Sequence, residues 1–356
     1  MIPVTAAANA MNVSWPSPRT LRTVDNLLKC DNLPDILYVH RIGSARPWTD
    51  FIVNWAEEHR KLRKSGTSNT PSLCVIAKLR DFDFKLPKED PNVSILWWWG
   101  FPSSLEIRLA CRIADYQQND VEPLVVRWRE YVLPGIVGND VQLGEFMWDF
   151  VTRDRSTVVE SLADYWVCLE DAEVSGPIDD ILEIVNANRA DFTVGQGLPT
   201  DLWQLWATGA IVYTPEYGLE LHPAFLAHCG VRSTVDHILW RGQSELLLPF
   251  INDIRLAICQ DLTTSFGNRW PVKWIPPRSE HELQEVNRSP LSAEIGHINY
   301  LLQNLGYNSR HDLYPKRVFG NLTSIAMRVR NEIAHYDPVS YRDYVELCEE
   351  RISVGV

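Results

Sequence analysis

The sequence lacks several signatures at once. Its 356 residues hold no run of 18 apolar residues, so a membrane-spanning helix is not expected. Residues 1–15 carry neither the charged leader nor the apolar stretch of a secretory signal. No two of the seven cysteines are spaced C-x-x-C, which leaves no zinc or dithiol redox motif to read. Such scattered thiols are expected to be reduced and mostly buried, in a cytoplasmic protein. Positive charge is scarce as well: 34 Lys and Arg stand against 46 Asp and Glu, a net charge of -12. A general nucleic-acid coat protein would be basic, so that class is excluded.

What is present is the composition of a globular chain, 45% hydrophobic and 22% charged. The length exceeds one ordinary core and predicts two or three domains. The acid is unevenly spread. Residues 231–356 hold 14 basic and 15 acidic side chains, while residues 1–230 hold 20 and 31. If one part meets RNA, electrostatics favours the nearly neutral back part.

The front part reads as alternating strand and helix. DILYVHRI at 35–42, LCVIAKL at 73–79 and VSILWWW at 93–99 are short apolar runs, and each predicts a strand. Between the first two, Phe51, Ile52, Trp55 and Ala56 form the apolar stripe of a helix over 48–63. Ser103 or Ser104 is placed to cap a further helix over 105–116. Such alternation predicts a parallel α/β sheet. With a lid-like segment at 128–148, this order resembles the rear portion of a P-loop NTPase core of the AAA/STAND kind. The departure is that no G-x-x-x-x-G-K-[ST] occurs, so no phosphate cradle can be named. The resemblance therefore implies a degenerate core over residues 1–150, kept for protein contacts, with no cofactor.

Residues 151–230 are expected to be helical and then winged-helix-like. Leu202, Leu205 and Trp206 form one helix face, and a hairpin turns around Glu216-Tyr217-Gly218. The helix carries no Lys or Arg, which favours protein contact or spacing over DNA binding. Residues 231–356 read as an all-α bundle, with helices over 235–266, 291–305, 317–335 and 341–352. The expected fold is thus an α/β N-terminal domain, a winged-helix-like segment and a C-terminal helical bundle.

The motif with chemical content closes the third of those helices: Arg330-Asn331-Glu332-Ile333-Ala334-His335. Imidazole titrates near neutrality and can accept or give a proton. Guanidinium binds phosphate bidentately and stabilises a pentavalent phosphorus. Together they suit RNA cleavage by the 2′-hydroxyl, with Asn331, one turn from His335, orienting the ring or a phosphate oxygen. The alternative is structural: Arg330 pairs with Glu332 or a neighbouring helix, and His335 caps its own helix.

R-N-E-I-A-H, followed by Y-D-P-V-S and a last helix, resembles the HEPN superfamily. These are helical-bundle ribonucleases of bacterial toxin–antitoxin, phage-defence and CRISPR-associated systems with an R-x(4–6)-H signature. The resemblance covers about residues 231–356. It implies a metal-independent endoribonuclease, a toxin or phage-defence effector acting on RNA, tRNA included. Arg330, His335 and Asn331 would be the catalytic residues, with no cofactor and no metal. It also implies a homodimer through residues 231–356, so that two motifs share one cleft, and an ATPase or regulatory partner for the front part. Some bundles of this superfamily are non-catalytic, so an adaptor that dimerises and recruits a nuclease or ATPase is the competing expectation. A transcriptional regulator using the winged segment is the third.

Arg241, Glu245 and Arg255 on the long helix are expected to form structural ion pairs. His222 and His297 are expected to be structural, and the Trp97-Trp98-Trp99 run to be packing.

Overall fold

A computed structural model describes residues 3–15, 17, 20–30, 32–40, 45–66, 70–78, 86–97, 103–117, 121–138, 140–169, 174–189, 192–193, 197–275, 284, 289–304 and 312–356. The chain is mostly helical, with two small sheets among the described residues.

In chain order, α1 (Pro3–Ala10) and α2 (Val24–Leu28) precede β1 (Ile36–His40), α3 (Ala45–Lys64) and β2 (Ser72–Ile76). Then come α4 (Ser104–Gln117), α5 (Pro123–Val137), α6 (Val141–Met147), α7 (Arg155–Val167), α8 (Ile178–Arg189) and α9 (Trp203–Ala207). The strands β3 (Ile211–Thr214) and β4 (Gly218–Leu221) lead to α10 (Pro223–His228), α11 (Arg232–Phe266) and α12 (Trp270–Trp274). The chain closes with α13 (Ile295–Gln303), α14 (Gly320–Ala334) and α15 (Tyr341–Ser353).

The chain divides into two compact units, Met1–Trp99 with Glu173–Ile211, and Gly100–Ala172 with Val212–Val356. In the first unit β1 and β2 pair in parallel, Ile36 opposite Ser72 and His40 opposite Ile76. Parallel strands need a crossover, and α3 supplies it. Trp48, Phe51 and Trp55 recur at helical spacing along α3 and bury with Leu27, Leu28 and Leu37. Lys61, Arg63 and Lys64 sit in the last turn of α3, where cations complement the helix dipole.

The strand expected over 93–99 is absent from its described portion. Val93 makes an isolated bridge to Asp90, and the Glu89 carboxylate takes the Ile95 amide at 2.7 Å. A side chain thus holds a donor that strand pairing would require. Trp97 packs on Trp203 with ring centroids 6.2 Å apart, and Trp98 and Trp99 lie outside the described residues.

The second unit is a helical bundle built around α11. Its 35 residues span about 52 Å at 1.5 Å per residue. Val235, Ile238, Leu239, Leu246, Leu247, Phe250, Ile254, Ile258 and Leu262 are buried along it. α11 crosses α5 through two glycines. A Cβ on Gly242 would run into the Tyr131 carbonyl, and one on Gly135 would stand 3.2 Å from the Ile238 carbonyl. The backbones therefore approach more closely than any larger residue permits. Trp128 of α5 stacks on Tyr344 of α15, centroids 5.2 Å apart, and donates its indole N–H to the Val151 carbonyl at 2.9 Å. The expected hairpin is present as β3 and β4, with a left-handed Gly218 (φ +75°) opening the second strand.

The bundle helices expected over 235–266 and 341–352 are present as α11 and α15. The helix expected over 291–305 is shorter, because a 3₁₀ turn at Pro290–Ser292 and extended backbone at Ala293 precede α13. The helix expected over 317–335 is a 3₁₀ turn, Tyr314–Phe319, followed by α14. Among the described residues no helix is long and apolar enough to cross a membrane.

Candidate active site

The motif lies at the C-terminal end of α14. That helix forms because Leu322, Ile325, Ala326, Val329 and Ile333 recur every three or four residues and bury as one stripe. Its end is a Schellman motif. The Asp337 amide donates to the Glu332 carbonyl at 2.9 Å, and the Tyr336 amide to Ile333 at 3.2 Å. Between them Tyr336 adopts φ +62°, a left-handed conformation in which glycine is the usual residue. For a bulky side chain that conformation costs about 1–2 kcal/mol. Pro338 then blocks any continuation, and Ser340 restarts the chain as the N-cap of α15, its Oγ accepting from the Asp343 amide at 3.1 Å.

Arg330, Asn331 and His335 come together at this end. His335 is the C-cap, with φ -97° and ψ 9°, and its amide donates to the carbonyls of Asn331 and Glu332 at 3.0 and 3.1 Å. Its ring is exposed and makes no ion pair among the described residues. Arg330 is exposed too, and its guanidinium donates to Asn331 Oδ1 at 3.2 Å. Asn331 thus meets Arg330 through its side chain and the His335 amide through its backbone carbonyl. The alternative pairing of Arg330 with Glu332 is not what the geometry shows. Arg328, two residues earlier, takes the carboxylate contacts, with Asp343 at 2.8 Å and Glu346 at 2.6 Å.

Glu332 lies inside the motif and faces inward. Its Oε2 is buried without a hydrogen-bond partner among the described residues. Burial, with Asp343 and Asp337 nearby, pushes its carboxyl above the ordinary glutamate value, against the pull of Arg328.

Two residues of α11 hold the motif in place. The Trp240 indole N–H donates to the Ile333 carbonyl at 2.7 Å, one of the carbonyls that a helix end leaves without a helical donor. The buried Gln243 side chain grips Val339 twice: its Nε2 donates to the Val339 carbonyl at 2.9 Å, and its Oε1 accepts the Val339 amide at 2.7 Å. The loop carrying His335 is thus pinned at both ends by one turn of α11. On the same flank His237 stacks on Trp240 with centroids 5.1 Å apart, and Tyr336 packs on Trp240 at 4.8 Å. Arg155 at the start of α7 forks onto Asp236, and Asp337 lies close enough to add to the field on it. Tyr336 directly follows the motif, but none of Trp240, Gln243 or His237 was marked by it. The only local signal was that Trp240 and Gln243 stand three apart on one helix.

The other sequence candidates serve the framework. Arg241 binds Glu220 bidentately at 2.8 and 3.0 Å and lies 3.8 Å over the Tyr217 ring. Glu245 pairs with Arg108, and Arg255 donates to the carbonyls of Leu291 and Ala293. His222 is buried as the N-cap of α10, its Nδ1 accepting the Ala224 amide at 3.2 Å. Its Nε2 lies 3.5 Å from Asp140, which also accepts the Tyr165 hydroxyl at 2.7 Å. His297 is half-buried on α13. Among the described residues no group of three or more His, Cys, Asp or Glu side chains is placed to hold a metal ion. Comparison with protein-family models, curated proteins and solved structures finds no match to this chain.

Proposed function

We propose that this chain is a metal-independent endoribonuclease of the HEPN kind, acting as a toxin or phage-defence effector in the cytoplasm. The observation that carries the reading is the arrangement of one helix end. Arg330 and His335 are exposed there, with Arg330 resting on the Asn331 side chain, and neither is neutralised by a carboxylate among the described residues. Arginines that tie elements together here sit in ion pairs, as Arg241 and Arg328 do.

In this mechanism the His335 imidazole takes the proton of a ribose 2′-hydroxyl. The 2′-oxygen attacks the adjacent phosphorus, and Arg330 binds the equatorial oxygens as negative charge builds on them. The P–O5′ bond breaks, leaving a 2′,3′-cyclic phosphate and a 5′-hydroxyl. The leaving 5′-oxygen receives its proton from an imidazolium, which a second copy of the motif supplies in a dimer formed through residues 231–356. Residues 1–230, acidic and without a phosphate loop, are assigned a regulatory or partner-docking role.

The test is cleavage of bacterial RNA, tRNA included, by the purified chain in EDTA. Wild-type cleavage is expected, with a loss of at least about 100-fold in Arg330→Ala and His335→Ala, the scale of one acid–base or oxyanion contact. Equal cleavage by all three proteins overturns the assignment. A non-catalytic adaptor is the second reading, and α4 is the observation that favours it. Leu105, Leu109 and Ile113 recur every four residues there and are 63%, 49% and 59% exposed. A folded wild type that leaves RNA intact shifts the assignment to that adaptor.

A further inference from the structure

His237, Trp240 and Tyr336 form an aromatic cluster beside the motif that the cleavage chemistry does not use. The indole of Trp240 is fixed by its bond to the Ile333 carbonyl. His237 lies nearly parallel to it, with an interplanar angle of 20°, and Tyr336 leans on it at 52°. His237 is exposed, and Tyr336 is 62% exposed. Tyr336 also occupies the left-handed turn position that glycine would fill without strain. A bulky ring held out into solvent at a strained position calls for an explanation beyond folding. Tyr336 follows His335 directly in the chain, so the platform stands one residue from the proposed base.

We infer that this cluster is a nucleobase-stacking subsite, which receives one unpaired RNA base next to the scissile phosphate. The inference rests on the endoribonuclease reading above and names how that site would hold its substrate. Stacking suits this protein because every base has a π-face, so a platform grips single-stranded RNA whatever its sequence. Arg330 supplies the phosphate contact and the rings supply the base contact.

The experiment uses the full-length protein carrying His335→Ala, so that RNA stays intact. The probe is a 12-nucleotide single-stranded RNA with 2-aminopurine walked through its central positions. Stacking is expected to quench the fluorophore at one position. Adding Tyr336→Asn, whose short side chain tolerates the left-handed turn, is expected to abolish that quench and weaken binding about tenfold. Tyr336→Phe is expected to keep both, and His237→Ala to weaken binding about threefold. Circular dichroism and a cooperative thermal transition confirm that each variant is folded.

Equal binding and quenching by the Tyr336→Asn protein overturn the inference. If Tyr336→Asn instead splits a dimer while RNA binding is unchanged, the patch is a subunit contact and the inference is likewise overturned. The cleavage reading is judged separately, by the loss of EDTA-resistant cleavage in Arg330→Ala and His335→Ala. Their inactivity beside a Tyr336→Asn enzyme of unchanged KM removes the stacking subsite alone. Failure of the parent protein to bind the RNA overturns the inference and leaves the cleavage reading to that assay.

Discussion

Glu332 shows how closely the motif mixes chemistry with packing. It stands between Asn331 and Ile333, yet its carboxyl turns inward and is pushed above its ordinary value by burial. The folded chain therefore holds that proton more tightly than the unfolded chain does. The sign follows by linkage: this residue's contribution is fully present below pH about 4.5 and is lost as the pH rises through the raised folded value. Glu332→Gln is expected to raise Tm by about 2 °C at pH 7 and to give no gain at pH 4. Thermal unfolding at the two pH values checks it, and an equal shift at both would show that burial of the charge is not the cause. Tyr336 is the complementary case, since its strain is tolerated in the turn that places His335.

At the scale of elements, the crossing of α5 and α11 depends on missing side chains. Alanine normally stabilises a helix interior relative to glycine by about 1 kcal/mol. At Gly242 the added methyl meets the Tyr131 carbonyl and the Val132 Cα, and both are backbone atoms that cannot turn aside. Overpacking of that kind costs about 1–3 kcal/mol, so the clash wins. Gly242→Ala is expected to lower stability by about 1–2 kcal/mol net, read as a lower urea midpoint with unchanged m. Gly296→Ala in α13 is the control. Its methyl would meet only Met327 Cε at 3.9 Å, and a small gain is expected. Because Trp240 and Gln243 flank Gly242 on α11, movement of this crossing also displaces the loop that carries His335.

At the scale of the whole molecule, the proposed cleavage step takes both its proton acceptor and its proton donor from the motif's imidazole, so it needs two copies, and each chain carries one His335, the cap of α14. Sedimentation equilibrium is therefore expected to show a species of about twice the 40.9 kDa chain mass. A monomer that cleaves RNA would show instead that one motif is enough. The charge division bears on the same assembly. The nearly neutral residues 231–356 can approach RNA, whereas the acidic remainder repels it, so added salt is expected to weaken binding only shallowly.

What the sequence determined by itself were the elements whose signal is local. The apolar stripes of α3, α11, α14 and α15, the hairpin turn at Glu216-Tyr217-Gly218 and the Arg330–His335 spacing can all be read within about twenty residues. Periodicity and turn chemistry act over that range. The segment from Val93 to Trp97 reads as a strand on the same evidence, yet a strand exists only if a neighbour takes its amides, and Glu89 takes one of them. The shell of the motif was hidden for a related reason. Trp240 reaches Ile333 across 93 residues, and Gln243 reaches Val339 across 96. No local pattern encodes a hydrogen bond between distant segments. The tertiary structure alone decided that one turn of α11 grips both ends of the loop, and that His335 lies exposed beside a strained tyrosine and a stacked pair of rings.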